Sequence, residues 1–492
     1  MKKLILIFLT STFLFPSVIY YGTVGGPSEL DPAKQWDSLS SQVVYQIYDR
    51  LVELDPDTYK ILPSLAVSWQ HSKDGLHWYF DLRKGVKFQD GTEFTSEAVV
   101  LSFKRQLNRF LPAKNLFPAI KEVKPLGKYR VEFHLSEPFA PFLYSLTTTQ
   151  ASIISPAAIL HGDPSKKPVG TGPYTLEIWN KKDTLILTKN PLYWKKAKDY
   201  PDKIVFIIGS SDELYRLLFE GKLDIIDVIS FSKLGGIKYS GTFKVHKKKI
   251  LAFSYLAFNP ETRWGKNLYV RKAIYSLWNP NWIKRVFADF NQPTTRILPP
   301  YWTKGETIHH EFSLEKAKKI ISSARLKDKV KLILIYLKYP LFSRTLKAFS
   351  SSAKKAGIKI ELKPLEPVEY EKAIKSGAYD IAETGWILDY FVPDNLFYSL
   401  ISKEVMEDGT PNIFPFNDKT LEKLILTARR IYDEEERFKL YEKAEKRILS
   451  YAYIIPLYWN VLALVYNKRV SNLKVDPTGI IIFSQMRKND EK

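Results

Sequence analysis

Few residues in this 492-residue chain are spaced for chemistry. Gly170-Thr171-Gly172 opens like a dinucleotide-binding loop, in which glycines let backbone amides approach a pyrophosphate. Thr175 stands where the third glycine belongs and Pro173 interrupts the turn, so the loop reads as structural. His310-Glu311 opens like a zinc-protease helix, but Leu314 occupies the position of the second histidine ligand. His309 and His310 therefore read as a surface loop pair. There is no G-x-S-x-G elbow and no P-loop. The chain has no cysteine, which removes disulfides, thiolate metal sites, a Cys nucleophile and a lipidated N-terminal Cys. Carboxylates are abundant, but spacing alone pairs none of them in space. The expectation is a protein that is not an enzyme, with no cofactor and no metal.

Lys and Arg number 74 against 53 Asp and Glu, a formal net charge of +21. That excess invites a nucleic-acid reading. The basic residues are scattered, however, and the densest run is Lys247-Lys248-Lys249. A short charge run is usually a solvated face, so no nucleic-acid partner is expected. Met1-Lys2-Lys3 followed by the mostly apolar stretch from Leu4 to Phe15 has the layout of an export signal. Residues 1–17 are assigned to it, although no clean small-residue cleavage triplet follows and an uncleaved anchor stays open. Beyond it no apolar run reaches the ~18 residues of a membrane span.

Stepping along the chain, the elements separate into two textures. Asp74-Gly75 is a hairpin signal, and Leu76, Trp78, Phe80 and Leu82 then alternate with polar positions as a half-buried strand. A helix is expected from Thr95 or Ser96 to Arg109, and a short one from Gln42 to Leu51. Strands are expected at Val18–Tyr21, Tyr174–Trp179, Asp183–Thr188 and Leu251–Phe258. After Asn267 strands and helices alternate. Val330–Leu337 is a strand, Arg344–Ala356 a helix, Gly357–Pro364 a strand and Tyr370–Gly377 a helix. That order predicts a largely parallel sheet. Two helices follow, near Lys419–Arg430 and Asp433–Ser450. Ile455–Tyr458 and Leu462–Tyr466 then return to strand.

Several stretches, in order, resemble the family 5 extracellular solute-binding proteins of ABC importers. They are Ala66-Val67-Ser68-Trp69, Phe80-Asp81-Leu82-Arg83-Lys84-Gly85-Val86-Lys87-Phe88 with Asp90-Gly91, Val169 to Tyr174, Asn190-Pro191-Leu192-Tyr193-Trp194, and Val270-Arg271-Lys272-Ala273-Ile274. The resemblance implies an α/β fold of the three-lobed type II periplasmic binding protein kind, class C, with two α/β lobes joined by a hinge and an inserted lobe II. Lobe I is then expected at 18–48, 168–258 and 461–492, lobe II at 49–167 and lobe III at 259–460, with hinge crossings near Asn259 and Asn460. Arg83 is expected to be a structural ion-pair partner.

The implied function is capture of oligopeptides or dipeptides by hinge closure, with delivery to ABC permease subunits in the membrane. A periplasmic monomer is expected. The alternatives are a specialised small ligand on the same fold (glutathione, a cell-wall peptide or a metal chelate) and an exported adhesion or chaperone-like protein. Gly385-Trp386-Ile387-Leu388-Asp389-Tyr390 is similar to the family's ligand element. It puts Asp389 on the peptide ammonium, the backbones of Gly385 and Ile387 on the peptide main chain, and Trp386 on a pocket wall. Trp36, Asp37, Ser38, Tyr458 and Trp459 complete the candidate ligand-binding set. No residue emerges for the ligand carboxylate.

Overall fold

The computed structural model describes residues 16–489 except 109, 196–198, 228–236, 238–239, 288–290, 300, 304–305, 339 and 402–417. Most of the expected export signal, residues 1–15, thus lies outside the described residues. The alternating stretch forms strand His77–Leu82, with Trp78, Phe80 and Leu82 inward. It sits second in a four-stranded antiparallel sheet, ordered Ala66–His71, His77–Leu82, Arg130–Leu135, Ile120–Pro125. Gly75 turns this hairpin at φ +72°, and a Cβ there would also strike the Tyr432 ring. The first helix is Ser38–Ile47, earlier than expected. Asp37 caps it by accepting from the Ser40 amide, so the polar turn Ser38-Leu39-Ser40-Ser41 is helical too.

A second sheet of 11 strands, among the described residues, runs through most of the molecule. Its order is Lys359–Leu365, Lys331–Leu337, Ile381–Ile387, Phe243–Phe258, Ile454–Asn467, Ile225–Asp227, Val18–Thr23, Lys203–Ile208, Thr184–Lys189, Tyr174–Asn180, and Asn291–Pro293 pairs with Ile454–Asn467 off this path. The alternating texture after Asn267 gives the parallel part. Helices Pro340–Lys355 and Pro367–Ser376 connect Lys331–Leu337, Lys359–Leu365 and Ile381–Ile387, and Lys331–Leu337 pairs parallel with both of the other strands.

Two long antiparallel strands, Phe243–Phe258 and Ile454–Asn467, join the halves of this sheet. The two short strands expected at Ile455–Tyr458 and Leu462–Tyr466 are thus one. Pro456 donates no hydrogen bond, and it is tolerated where the register slips, between Ser254 and Tyr255. A second slip lies between Lys249 and Phe253. Asn460 spans that irregularity, its Nδ2 donating to Ala252 O at 2.9 Å. Asn259 lies just past the end of its strand, its Nδ2 donating to Gly377 O and Tyr379 O.

The buried residues follow the same division. One core runs from Ile19 and Tyr21 through the four-stranded sheet to Val470, Phe483 and Met486 near the C-terminus. Two others hold the second half of the large sheet, around Leu256, Trp278 and Leu334, and around Phe253, Phe397 and Tyr441. Across the gap the halves touch through aromatic rings. Tyr59 stacks on Phe391 at 4.6 Å, and His71 stacks on Tyr432 at 4.9 Å. Arg430 pairs with Glu137 at 2.5 Å.

The glycine loop is structural, as its sequence suggests. A Cβ on Gly170 would lie 2.3 Å from Ile47 O, and Gly172 N donates to that same carbonyl. Arg83 forms no ion pair among the described residues. Its Nε donates to Ser64 O and its guanidinium lies 4.5 Å from the Trp194 ring centre, a cation–π contact in place of the expected ion pair. His310 Nε2 is bonded to Trp278 O, which fixes it as a loop residue.

Candidate ligand-binding site

A cavity of about 720 Å³ lies between the two halves of the large sheet. That is within the usual ~300–1,000 Å³ of small-ligand sites. One wall is the segment Gly385–Phe391 with Tyr398. The other is built from Gln35 to Ser38, Ser41, Tyr45 and Arg50, with Thr147–Gln150 and the turn Asp476–Ile480.

The first wall begins as strand. Ile381–Ile387 pairs along its whole length with Phe243–Phe258 on one side. On its other side Lys331–Leu337 meets only Ile381 and Ala382. From Glu383 to Ile387 that edge faces no strand among the described residues. Gly385 and Ile387 are exposed on it, Ile387 to 47%. An unpaired edge is a template for an added strand.

Beyond Ile387 the chain turns and is held rigidly. Asn395, buried, accepts from the Asp389 amide at 2.9 Å and from Trp386 Nε1 at 3.1 Å. Its Nδ2 donates to Asp389 Oδ2 at 3.0 Å. The neighbouring Asp394 is buried too. It accepts from Tyr390 and Tyr441 hydroxyls at 3.0 and 3.2 Å, with the Arg429 guanidinium 3.6 Å away. The carboxylate of Asp389 is thus fixed in place with no cation paired to it among the described residues. Burial pushes its pKa up to about 6, against the smaller opposing pull of Asn395. A cationic ligand group would reverse that shift.

On the second wall Trp36 is 75% exposed, an unusually open indole beside a cavity. Asp37 lines the cavity, but its carboxylate is occupied by Ser40 N, Ser40 Oγ and Ser28 Oγ. Its main work is capping the helix that Ser38 begins. Tyr458 and Trp459 are corrected by the structure. Both are buried and neither lines the cavity. Tyr458 packs on Phe287 at 5.6 Å and Trp459 on Phe253 at 5.0 Å. Their strand is central and covered on both faces, so both alternating positions point into cores.

Asn395 and Arg50 are absent from the expected set. Asn395 follows Pro393-Asp394, an ordinary helix-start signal that conceals its reach back to Asp389. The signal for Arg50 was the pair Asp49-Arg50 inside the apolar run from Val43 to Val52. Asp49 is structural, accepting from Thr171 Oγ1 and Trp194 Nε1.

Comparison with known proteins agrees with this architecture. The chain is 28% identical over 477 residues to the probable D,D-dipeptide-binding periplasmic protein DdpA of Escherichia coli, covering 94% of this chain and 92% of that one. It is 28% identical over 498 residues to heme-binding protein A of Haemophilus influenzae, covering 94% and 91%. Among solved structures, the ABC transporter-associated periplasmic binding protein DppA from Helicobacter pylori, in complex with peptide STSA, superposes with a TM-score of 0.84. It is 28% identical and covers 97% of this chain and 99% of that one. The model of the bacterial extracellular solute-binding proteins, family 5, matches residues 60–408. With this match over most of its length, and with the three-lobed α/β fold of periplasmic binding proteins, the chain belongs to the family 5 bacterial extracellular solute-binding proteins.

Proposed function

We propose that the protein captures short peptides in the cavity between the halves of its large sheet and hands them to an ABC permease in the membrane. It is a transport binding protein and not an enzyme. The observation that carries the reading is the open edge at Glu383–Ile387 ending at a half-buried Asp389 with no cation paired to it among the described residues. A peptide offers what such a site lacks. Its main chain can add to the strand edge, and its ammonium can pair with the carboxylate in a charge-assisted hydrogen bond. Relatives named for dipeptide binding, and the Helicobacter protein solved with a peptide, support this choice.

In this reading residues 18–48, 168–258 and 461–492 form lobe I, 49–167 lobe II and 259–460 lobe III. The slipped pairing between Phe243–Phe258 and Ile454–Asn467 is the hinge, because irregular pairing bends more easily than a regular ladder. Ligand touching both walls shifts the population toward the closed form. The site of action is the periplasm, reached through the N-terminal signal, and the protein acts as a monomer. No helix among the described residues is long and apolar enough to cross a membrane.

A second reading keeps the fold and replaces the peptide by a specialised compound. The open Trp36 ring and the relative named for heme binding favour it. Native mass spectrometry of the protein purified without denaturation separates the two. Co-purified peptides of mixed mass support the first reading, and a single defined mass supports the second.

A further inference from the structure

The end of the parallel strands away from the cavity gathers cations that peptide binding does not use. Lys331 and Lys359 open neighbouring strands and stand side by side as register partners. Both are exposed, and like charges side by side on adjacent strands repel. Lys354 and Lys355 close helix Pro340–Lys355 next to them, where Gly357 N donates to Lys354 O and Ile358 N to Ala353 O. Lys327 and Lys329 lie in the turn that leads into Lys331, and Lys359 N donates to Val330 O at 3.0 Å.

These six lysines are all exposed, and none has an ion-pair partner among the described residues. The acids interspersed with them are engaged elsewhere, Asp328 with Arg263 at 2.6 Å and Glu361 with Lys363 at 3.6 Å. Several lysines on other parts of the surface are paired, Lys128 with Glu93 at 2.8 Å, Lys203 with Glu177 at 2.9 Å and Lys338 with Glu366 at 3.0 Å. Cations at a helix C-terminus complement its dipole, which accounts for Lys354 and Lys355. It does not account for the other four.

This end is separate from the ligand site. Asp380, just before strand Ile381–Ile387, donates its amide to Ile333 O at 2.9 Å and accepts from Ile333 N at 2.8 Å. The cavity wall begins toward the other end of that strand, about 20 Å from its start at ~3.3 Å per residue. None of the exposed large hydrophobic side chains falls between residues 325 and 360. The surface thus offers positive charge without an apolar anchor or a ring for a base to stack on. A layer of fixed negative charge complements it, and clusters of about four to eight Lys or Arg are what anionic headgroups attract.

We propose that this basic end docks reversibly, by charge alone, on the anionic phospholipid headgroups of a membrane. The inference goes beyond the peptide reading and takes from it only the setting beside a membrane. No residue of the cavity takes part, so either can fail without the other.

The test is co-sedimentation of the full-length protein with vesicles of phosphatidylcholine containing about a third phosphatidylglycerol, and with vesicles of phosphatidylcholine alone. Wild-type protein should bind the anionic vesicles at ~50 mM salt, leave them at ~500 mM, and ignore the neutral ones. A quadruple variant, Lys329→Glu, Lys331→Glu, Lys354→Glu and Lys359→Glu, should bind more than tenfold more weakly. A control with the same change in net charge, Lys60→Glu, Lys73→Glu, Lys121→Glu and Lys182→Glu, alters exposed lysines elsewhere and should lose much less. Lysine acetylation of wild-type protein on the anionic vesicles needs no variant to fold. It should spare the six lysines and still modify Lys60, Lys73, Lys121 and Lys182. No binding to anionic vesicles, equal binding to neutral ones, equal loss in the two quadruple variants or uniform acetylation each overturns the proposal. Binding to random duplex DNA without binding to the vesicles also overturns it and gives the surface to nucleic acid instead.

Discussion

Replacing Asp389 by Asn separates the cost of this carboxylate to the fold from its value to the ligand. The substitution keeps shape, and an Asn oxygen can still accept from Asn395 Nδ2, so the turn that also holds Trp386 stays in place. Asp389 has a folded pKa of about 6, raised above its ordinary value. The folded form therefore binds the proton more tightly than the unfolded chain. Stability from this group is full below pH ~4 and is lost as pH rises from there to about 6. At pH 7 the ionised carboxylate costs the empty protein at most about 2–3 kcal/mol. Asp389→Asn should consequently melt no lower than wild-type protein at pH 7.5. Ligand affinity should move the other way. Removing one partner of a desolvated pair costs about 3–5 kcal/mol, or about 150- to 5,000-fold in Kd. Titration calorimetry with the best-bound member of a di- and tripeptide set measures this. Wild-type affinity should fall about tenfold per pH unit below pH 6, as the empty site takes up a proton, and that acid limb should be missing in the variant. N-terminal acetylation of the peptide should weaken wild-type binding strongly and the variant's binding little. A folded variant that binds the free peptide as tightly as wild-type protein would refute the assignment of the ammonium to Asp389.

Other outcomes follow from the same coordinates. Glu445→Ala leaves Arg296 buried and removes the acceptor of the Ile297 and Leu298 amides, so urea unfolding should show a loss of about 3–5 kcal/mol. Gly170→Ala places a Cβ 2.3 Å from the Ile47 carbonyl oxygen, a backbone atom with little freedom to move. Its thermal midpoint should drop sharply, or soluble yield should collapse. Trp36→Ala removes a ring that is 75% exposed, so stability should change by less than about 0.5 kcal/mol. Preference for aromatic over aliphatic ligand side chains should fall by about 0.5–1.5 kcal/mol in calorimetric comparison of matched peptides.

The parts of the fold that the sequence made legible are those with a single solvent-facing side. Trp78, Phe80 and Leu82 alternate because the other face of their strand is only partly covered. The strand Ile454–Asn467 gave no such pattern. It is covered on both faces, so Tyr458 and Trp459 carried no directional information, and the slipped register that makes one strand of the two expected is a tertiary property. The candidate site divides the same way. The open strand edge lies in a local stretch, and the cavity wall does include Gly385 to Asp389. Asn395 acts through Trp386 and Asp389, which the turn after Ile387 brings to it, and spacing along the sequence holds no trace of that.

The core that holds Val18–Thr23 has a consequence for when this protein can fold. That strand is among the first parts synthesised, yet Tyr21 packs edge-on against Phe483, and Val470 and Met486 close the same core. Part of its cover therefore leaves the ribosome some 450 residues later. Until then the strand can pair with Lys203–Ile208 and Ile225–Asp227, but the side of Tyr21 that Phe483 covers stays open. This core therefore closes only when the stretch from Val470 to Met486 has joined it, so the two ends of the sequence depend on each other for their burial.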